Sequence, residues 1–234
     1  MSTAAPDRIA GLNIDLHVEN LSAPQLVVDY YDAATALAPF YAGSPFDTGS
    51  YEHLTRAVRH CFDNAARRAM IDAVEGTTER ARAKLESIAA GDGFFVATGQ
   101  QAGLFGGPLY TLYKTLTTIR LAEALEEQLG VTVAPLFWIA ADDHDFAEVN
   151  HAYVMGSDNE LHRLEIDGNV ESARSMNRHL LDESAGRAVD ELTRLLPANE
   201  FSVDLLAAVR AAYVPGQSVA GAFQQLIRHI FARH

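Results

Sequence analysis

Three groups of residues carry side chains suited to chemistry. The first is Thr98-Gly99-Gln100-Gln101, which opens a loop rich in glycine (Gly99, Gly103, Gly106, Gly107). Adjacent glutamines offer two amides that read a polar ligand without adding charge. A glycine-rich loop leading into a helix also presents backbone N–H groups and the helix dipole to a phosphate or carboxylate. The loop is not a P-loop, because no Gly-Lys-Ser/Thr follows at the required spacing, and it is not GxGxxG. The plain alternative is a tight turn with solvated glutamines. The second group is Lys114 with Tyr110, one helical turn apart. An ammonium near a helix start is repelled by the dipole, so it is better explained if it faces an anion. The plain alternative is a surface lysine with its stem laid along apolar neighbours.

The third group is Asp142-Asp143-His144-Asp145. Three carboxylates and an imidazole repel one another unless a cation joins them: a metal, a substrate ammonium, or Lys114 or Arg120 of this chain. Hard carboxylates favour magnesium. Zinc would suit His144, but His151 completes no known ligand spacing, so no metal ligands are assigned. The plain alternative is that Asp142 or Asp143 caps a short helix starting near His144. Trp138, just before the cluster, reads as core or pocket wall.

Two elements must position these groups. Phe94 to Ala97 and Val131 to Ala140 are apolar runs separated by a long amphipathic segment, which predicts strand, loop, helix, strand: a βαβ unit. Ligands in open α/β sheets bind outside the carboxyl ends of the strands, where both polar clusters would lie. Pro108 suits the first helical position and Gly130 the helix stop. Leu112, Leu116, Ile119 and Tyr113 or Ala122 are expected on the buried side. Pro135 counts against full pairing, so pairing is expected to begin at Leu136.

Elsewhere the chain reads as mostly helical. A short extended piece is expected at 12–16. Pro24 opens a stripe of Leu26, Val27, Tyr30, Tyr31, Ala34 and Leu37 that should face a core. Tyr51 to Ala90 is helical with a break near Gly76, where Thr77 or Thr78 caps the second helix. A hairpin is expected around Gly156 to Asn159, and helices from Asp182 or Glu183, from Ser202 and from Ser218. Residues 167–181 show no clear period. The last helix carries Val219, Phe223, Leu226, Ile227, Ile230 and Phe231 and the chain stops soon after, so this stripe is expected to lie uncovered and the chain to be poorly stable alone.

With 234 residues and 48% hydrophobic residues the chain can bury a core. Its net charge of −13 argues against nonspecific binding to nucleic acid. One cysteine, Cys61, cannot form an internal disulfide. No apolar run is long enough for a membrane span, and the N-terminus lacks signal-peptide character, so a cytoplasmic location is expected.

The stretches TGQQAGLFGGPLYTLYK and PLFWIAADDHDFAEVNHAYV resemble the two signature stretches of the bacillithiol biosynthesis cysteine-adding enzymes, the BshC family. Leu37-Ala38-Pro39-Phe40-Tyr41 and Ala212-Tyr213-Val214-Pro215-Gly216 are also similar. The resemblance implies an α/β fold: a Rossmann-like parallel-sheet core similar to class I aminoacyl-tRNA synthetases, truncated and preceded by N-terminal helices. Residues 1–90 would form a helical lead-in packing on the core. Residues 91–234 would form the first part of that core with an inserted hairpin and helices. The implied activity is the joining of cysteine to glucosaminyl-malate. Asp143, His144 and Asp145 would be catalytic. Thr98, Gly99, Gln100, Gln101, Gly103, Gly107, Tyr110, Lys114 and Trp138 would bind substrate or nucleotide, with ATP and magnesium implied by superfamily analogy. Asp142 stands where the family usually has Glu. Family members continue well beyond His234, so a C-terminal half or a second copy is the expected partner. Two other readings compete: a non-catalytic anion- or nucleotide-binding module, and an unrelated magnesium-dependent nucleotidyl enzyme using Asp143 and Asp145.

Overall fold

The computed structural model describes residues 24–31, 35–61, 63–168 and 174–233. The piece expected at 12–16 and Ala34 lie outside them. Two compact units divide between Val58 and Arg59. The first unit contains helix α1 (Gln25–Tyr31) and most of α2 (Thr48–Cys61). Leu26 and Val27 of α1 are exposed, so the expected inward stripe is not buried there.

The second unit begins with two short helices. In α3 (Asn64–Asp72) the Asp63 carboxylate caps the start by accepting from Ala66 N–H at 2.7 Å. This capped start divides the segment read as one helix up to Gly76. In α4 (Glu79–Ala89) Thr78 accepts from Ala81 N–H at 3.1 Å, as its sequence position predicts. Strand β1 (Gly93–Gln100), helix α5 (Tyr110–Leu129) and strand β2 (Thr132–Ile139) follow. The strands pair in parallel from Gly93 opposite Thr132 to Gln100 opposite Ile139. This is the expected βαβ unit, with α4 and α5 both packed on the strands. Among the described residues the parallel sheet has only these two strands.

Pairing includes Pro135, contrary to expectation. The reason lies in parallel geometry, where each residue directs its N–H and C=O to the same neighbour and successive residues alternate sides. Val133 directs both groups away from β1: its N–H donates to Glu126 at 3.2 Å and its carbonyl accepts from Lys84 Nζ at 2.7 Å. Pro135, two residues on, shares that outward side, so its missing N–H removes nothing from the ladder.

The buried side of α5 also differs from expectation. Tyr113 and Leu116 are exposed, and the buried residues are Thr111, Thr115, Thr118, Ile119, Ala122 and Leu125. Buried threonines cost little where the helix itself satisfies them. Thr115 donates to Thr111 C=O at 2.8 Å and Thr118 to Lys114 C=O at 2.9 Å.

Beyond β2 come α6 (Phe146–Val149), the antiparallel hairpin β3 (His151–Met155) and β4 (Leu161–Glu165), then α7 (Glu183–Leu195), α8 (Ser202–Ala212) and α9 (Val219–Ile230). The stripe of α9 is not left uncovered. Val219, Phe223, Leu226 and Ile227 are buried in one cluster with Ala102, Leu104, Phe146, Leu164, Val189 and Tyr213, and Ile230 and Phe231 pack against it. The final helix therefore seals the core beneath the β1 loop, and its stripe is covered by residues of this chain. No helix among the described residues is long and apolar enough to cross a membrane.

Lys84 and Glu126 form a half-buried pair at 2.7 Å that ties α4, α5 and β2 together. Burial works against ionisation of Glu126, but Lys84, the Val133 N–H and Arg80 outweigh it and hold its carboxyl below the usual range. A lowered carboxyl pKa contributes stability above the ordinary glutamate value, and that contribution is lost as pH falls through the folded-state value. Lys84→Met should lower the unfolding free energy at pH 7 by about 1.5–3 kcal/mol, because it orphans a carbonyl and a carboxylate. Urea denaturation would show the gap from wild type narrowing in acid, where Glu126 is protonated in both.

Candidate functional site

The loop after β1 is anchored by its own apolar residues. Ala102 and Leu104 are fully buried, and the tight turn Leu104–Gly106 holds Phe105 at φ 55°, in the left-handed region. A side chain on Gly103 would meet Gly107 Cα at 2.6 Å, so the loop closes on itself only with glycine there. The hydroxyl of Tyr213, just after α8, donates to Gly103 C=O at 3.4 Å. The Phe105 ring packs edge-on against the Tyr213 ring at 5.0 Å. Burial pushes the Tyr213 hydroxyl well above its usual pKa, so it stays a donor.

Lys114 reaches back from α5 to the end of β1. Its ammonium donates to Gly99 C=O at 2.6 Å and to Gln100 Oε1 at 3.1 Å, and it lies 5.5 Å from the Tyr110 ring centre. Gln100 Nε2 in turn donates to the Tyr110 hydroxyl at 3.0 Å. The sequence argument that this lysine needs an anion gives way: neutral acceptors at a strand end hold it. Gly99 stands opposite Trp138, and a Cβ there would come within 2.8 Å of Trp138 C=O.

Gln101 joins the two polar clusters. Its amide donates to Asp143 Oδ2 at 2.8 Å and to Glu148 Oε2 at 2.7 Å. Asp143 Oδ1 accepts from Asp145 N–H at 3.0 Å, and Asp145 caps α6 by accepting from Glu148 N–H at 3.3 Å. The cap of this helix is thus Asp145, not Asp142 or Asp143. The Asp145 N–H and the Gln101 amide, aided by His144, outweigh desolvation and hold the Asp143 carboxyl below its usual range. The premise that these aspartates repel one another without a ligand fails for Asp143, because local donors stabilise its charge.

The turn after β2 is held from its other side by the segment 174–181. Met176 N–H donates to Asp143 C=O at 2.8 Å and Asn177 N–H to Ala141 C=O at 3.0 Å. The His179 ring stacks on Phe146 with centres 4.5 Å apart and planes 6° apart. The segment is itself pinned to the start of α9, where Val219 N–H donates to His179 C=O at 2.9 Å. Between turn and segment lies a pocket of about 460 Å³ lined by Asp142, His144, Arg174, Ser175 and Arg178.

Residues 13–234 match the model of the family described as bacillithiol biosynthesis BshC, N-terminal Rossmann-like domain. The chain belongs to the BshC family. Three relatives carry the printed name "Putative cysteine ligase BshC". The one from Salinibacter ruber is 36% identical over 221 residues, covering 89% of this chain and 39% of the relative. The one from Koribacter versatilis is 36% identical over 159 residues, covering 68% and 29%. The one from Bacillus cereus strain B4264 is 37% identical over 139 residues, covering 59% and 26%. The chain therefore spans about two-fifths or less of the length of these BshC relatives.

In this BshC domain the structure brings Thr98, Gly99, Gln100 and Gln101 to the strand-end rim with Tyr110, Lys114, Asp143, His144 and Asp145, and Gly103 and Gly107 to the loop beside it. Trp138 is 65% exposed, so it is not core. Of the two side-chain cations considered for the aspartates, Lys114 is held by Gly99 and Gln100, and Arg120 pairs with Glu123. Arg174 and Arg178 line the pocket with Asp142 but pair with none of the aspartates among the described residues. Sequence reasoning missed them because 167–181 has no periodicity, and their spacing of four is a weak signal without a helix. It also missed Glu148, although Asp-x-x-Glu before an apolar residue is a helix-start pattern.

Asp143→Asn replaces an acceptor of the Asp145 N–H and puts an amide against the Gln101 amide. It should destabilise the fold near pH 7 by about 1–2 kcal/mol. The lowered pKa of Asp143 means its contribution is present above the ordinary aspartate value and lost as pH falls through the folded-state value. Thermal melts of the two proteins should therefore converge in acid.

Proposed function

We propose that this chain is the N-terminal Rossmann-like part of a cysteine ligase of bacillithiol biosynthesis, which joins cysteine to glucosaminyl-malate. The observation that carries the reading is the rim itself, seen in a chain that matches the family over residues 13–234. The ends of β1 and β2 meet through the Gln101 amide, beside a pocket open to a small molecule.

Amide formation needs an activated carboxyl and a neutral amine. The side chains of Asp143 and Asp145 hold the turn, so their role is positioning. His144 lines the pocket, and its ring makes no hydrogen bond among the described residues. It is the group placed to take a proton from the attacking amine. Lys114 fixes Gly99 and Gln100, and so sets the edge of the site.

The resemblance calls for ATP with magnesium. The loop 103–107 and the start of α5 do not offer a ready cradle for the nucleotide's phosphates: the N–H groups of Gly103, Gly106, Gly107, Thr111 and Leu112 are spent on nearby carbonyls, Pro108 has none, and the Thr111 hydroxyl is fully buried. Where bound, ATP would supply the leaving group for carboxyl activation. Among the described residues no three His, Cys, Asp or Glu side chains stand together as metal ligands, so in this reading magnesium arrives on the phosphates. The competing nucleotidyl reading needs Asp143 and Asp145 free for a metal, and both are engaged in the turn.

The test supplies the chain with cysteine, glucosaminyl-malate, ATP and magnesium, with and without a separately expressed remainder of the Salinibacter relative, and follows the amide product by mass spectrometry. Product should form in the combined sample. His144→Ala should cut its turnover by roughly 10²-fold or more. Product formation undiminished by His144→Ala would remove the histidine from the chemistry, and no product in the combined sample would count against the ligase reading.

A further inference from the structure

The pocket between the Asp142 turn and the segment 174–178 has walls of opposite charge. Asp142 and His144 line it on the turn side, and Arg174, Ser175 and Arg178 line it on the segment side. Elsewhere arginines close directly on carboxylates: Arg68 on Glu86, Arg187 on Asp167, Arg210 on Asp190. Here, among the described residues, Asp142 pairs with neither arginine. The Met176–Asp143 and Asn177–Ala141 backbone bonds hold the two segments side by side, with side chains of opposite charge around the pocket between them. The volume of about 460 Å³ lies within the range of small-molecule pockets, roughly 300–1,000 Å³.

We infer that this pocket is a subsite for a free α-amino acid, with Arg174 and Arg178 taking the α-carboxylate and Asp142 the α-ammonium. A planar guanidinium suits a carboxylate better than any other side chain does. A dicarboxylate would satisfy the arginines but would bring a second negative charge toward Asp142. A simple amine would satisfy Asp142 but would leave two guanidiniums unanswered. Only a ligand that carries both signs within a few bonds matches both walls. The choice of cysteine as the amino acid rests on the ligase reading above, whereas the zwitterion does not.

Calorimetry on the 234-residue chain decides it, using L-cysteine, cysteamine (no carboxylate), 3-mercaptopropionate (no ammonium) and L-malate (two carboxylates). L-Cysteine should bind at least about tenfold more tightly than each of the other three, the size of one lost charge-assisted contact. Arg174→Gln with Arg178→Gln should weaken cysteine about tenfold or more while leaving cysteamine unchanged. Asp142→Asn should weaken cysteine and leave 3-mercaptopropionate unchanged. Malate or 3-mercaptopropionate binding as tightly as cysteine would overturn the inference, as would unchanged cysteine affinity in the arginine variants or no cysteine binding by wild type. If the variants fail to fold by circular dichroism, the analogue series on wild type decides alone. The two readings separate in the ligation assay. Cysteine bound with the predicted selectivity but never ligated leaves the subsite standing and sinks the ligase. Ligation with an unchanged KM for cysteine in the arginine variants does the reverse.

Discussion

The site depends on the register of β1 against β2. With Gly99 opposite Trp138 and Gln100 opposite Ile139, the two strands end at the same level, and Gln101 then stands within one amide of Asp143. A slip of one residue would reverse the faces of a strand and move Gln101 away from its partners. The contact between Gly99 and the Trp138 carbonyl favours this register, because the backbones approach there as only glycine allows. The outer side of β2 is equally specified. Val133 has both its polar groups engaged by α4 and α5, and Pro135 has no donor, so the first half of that edge offers another strand little to pair with.

The polar rim is therefore a set of mutual constraints rather than a row of free side chains. Lys114, Gln100 and Tyr110 satisfy one another, as do Gln101, Asp143, Asp145 and Glu148. Satisfied groups of this kind hold geometry and leave contact with a ligand to their neighbours. The neighbours here are Asp142, His144, Arg174 and Arg178, which line the pocket.

The βαβ unit, the hairpin and the three final helices were legible in the sequence, because apolar periodicity and caps such as Thr78, Asp182 and Ser218 are local signals. The two rim clusters were legible for the same reason, since both follow strands. What was not legible was tertiary. Lys114 looked like an anion ligand because the carbonyl of Gly99 that holds it belongs to another element. The stripe of α9 looked uncovered because its cover, the buried loop residues Ala102 and Leu104 with residues of the preceding helices, is distant in sequence. Threonines on the buried side of α5 were passed over because their hydroxyls bond within the helix. Arg174 and Arg178 lie in a segment with no period, positioned only by backbone bonds to the Asp142 turn.

The Tyr213 hydroxyl meets the Gly103 carbonyl across 110 residues of chain. The two strands and α5 are nearly contiguous and can associate early, by local closure alone. The loop between them has no comparable local fixing: Phe105 stays in its left-handed conformation against the ring of Tyr213, and Leu104 is covered by the cluster that α9 completes. A chain that ends at α7 lacks both Tyr213 and α9, the residues that cover Phe105 and Leu104. The shape of this loop is thus tied to residues at the far end of the unit.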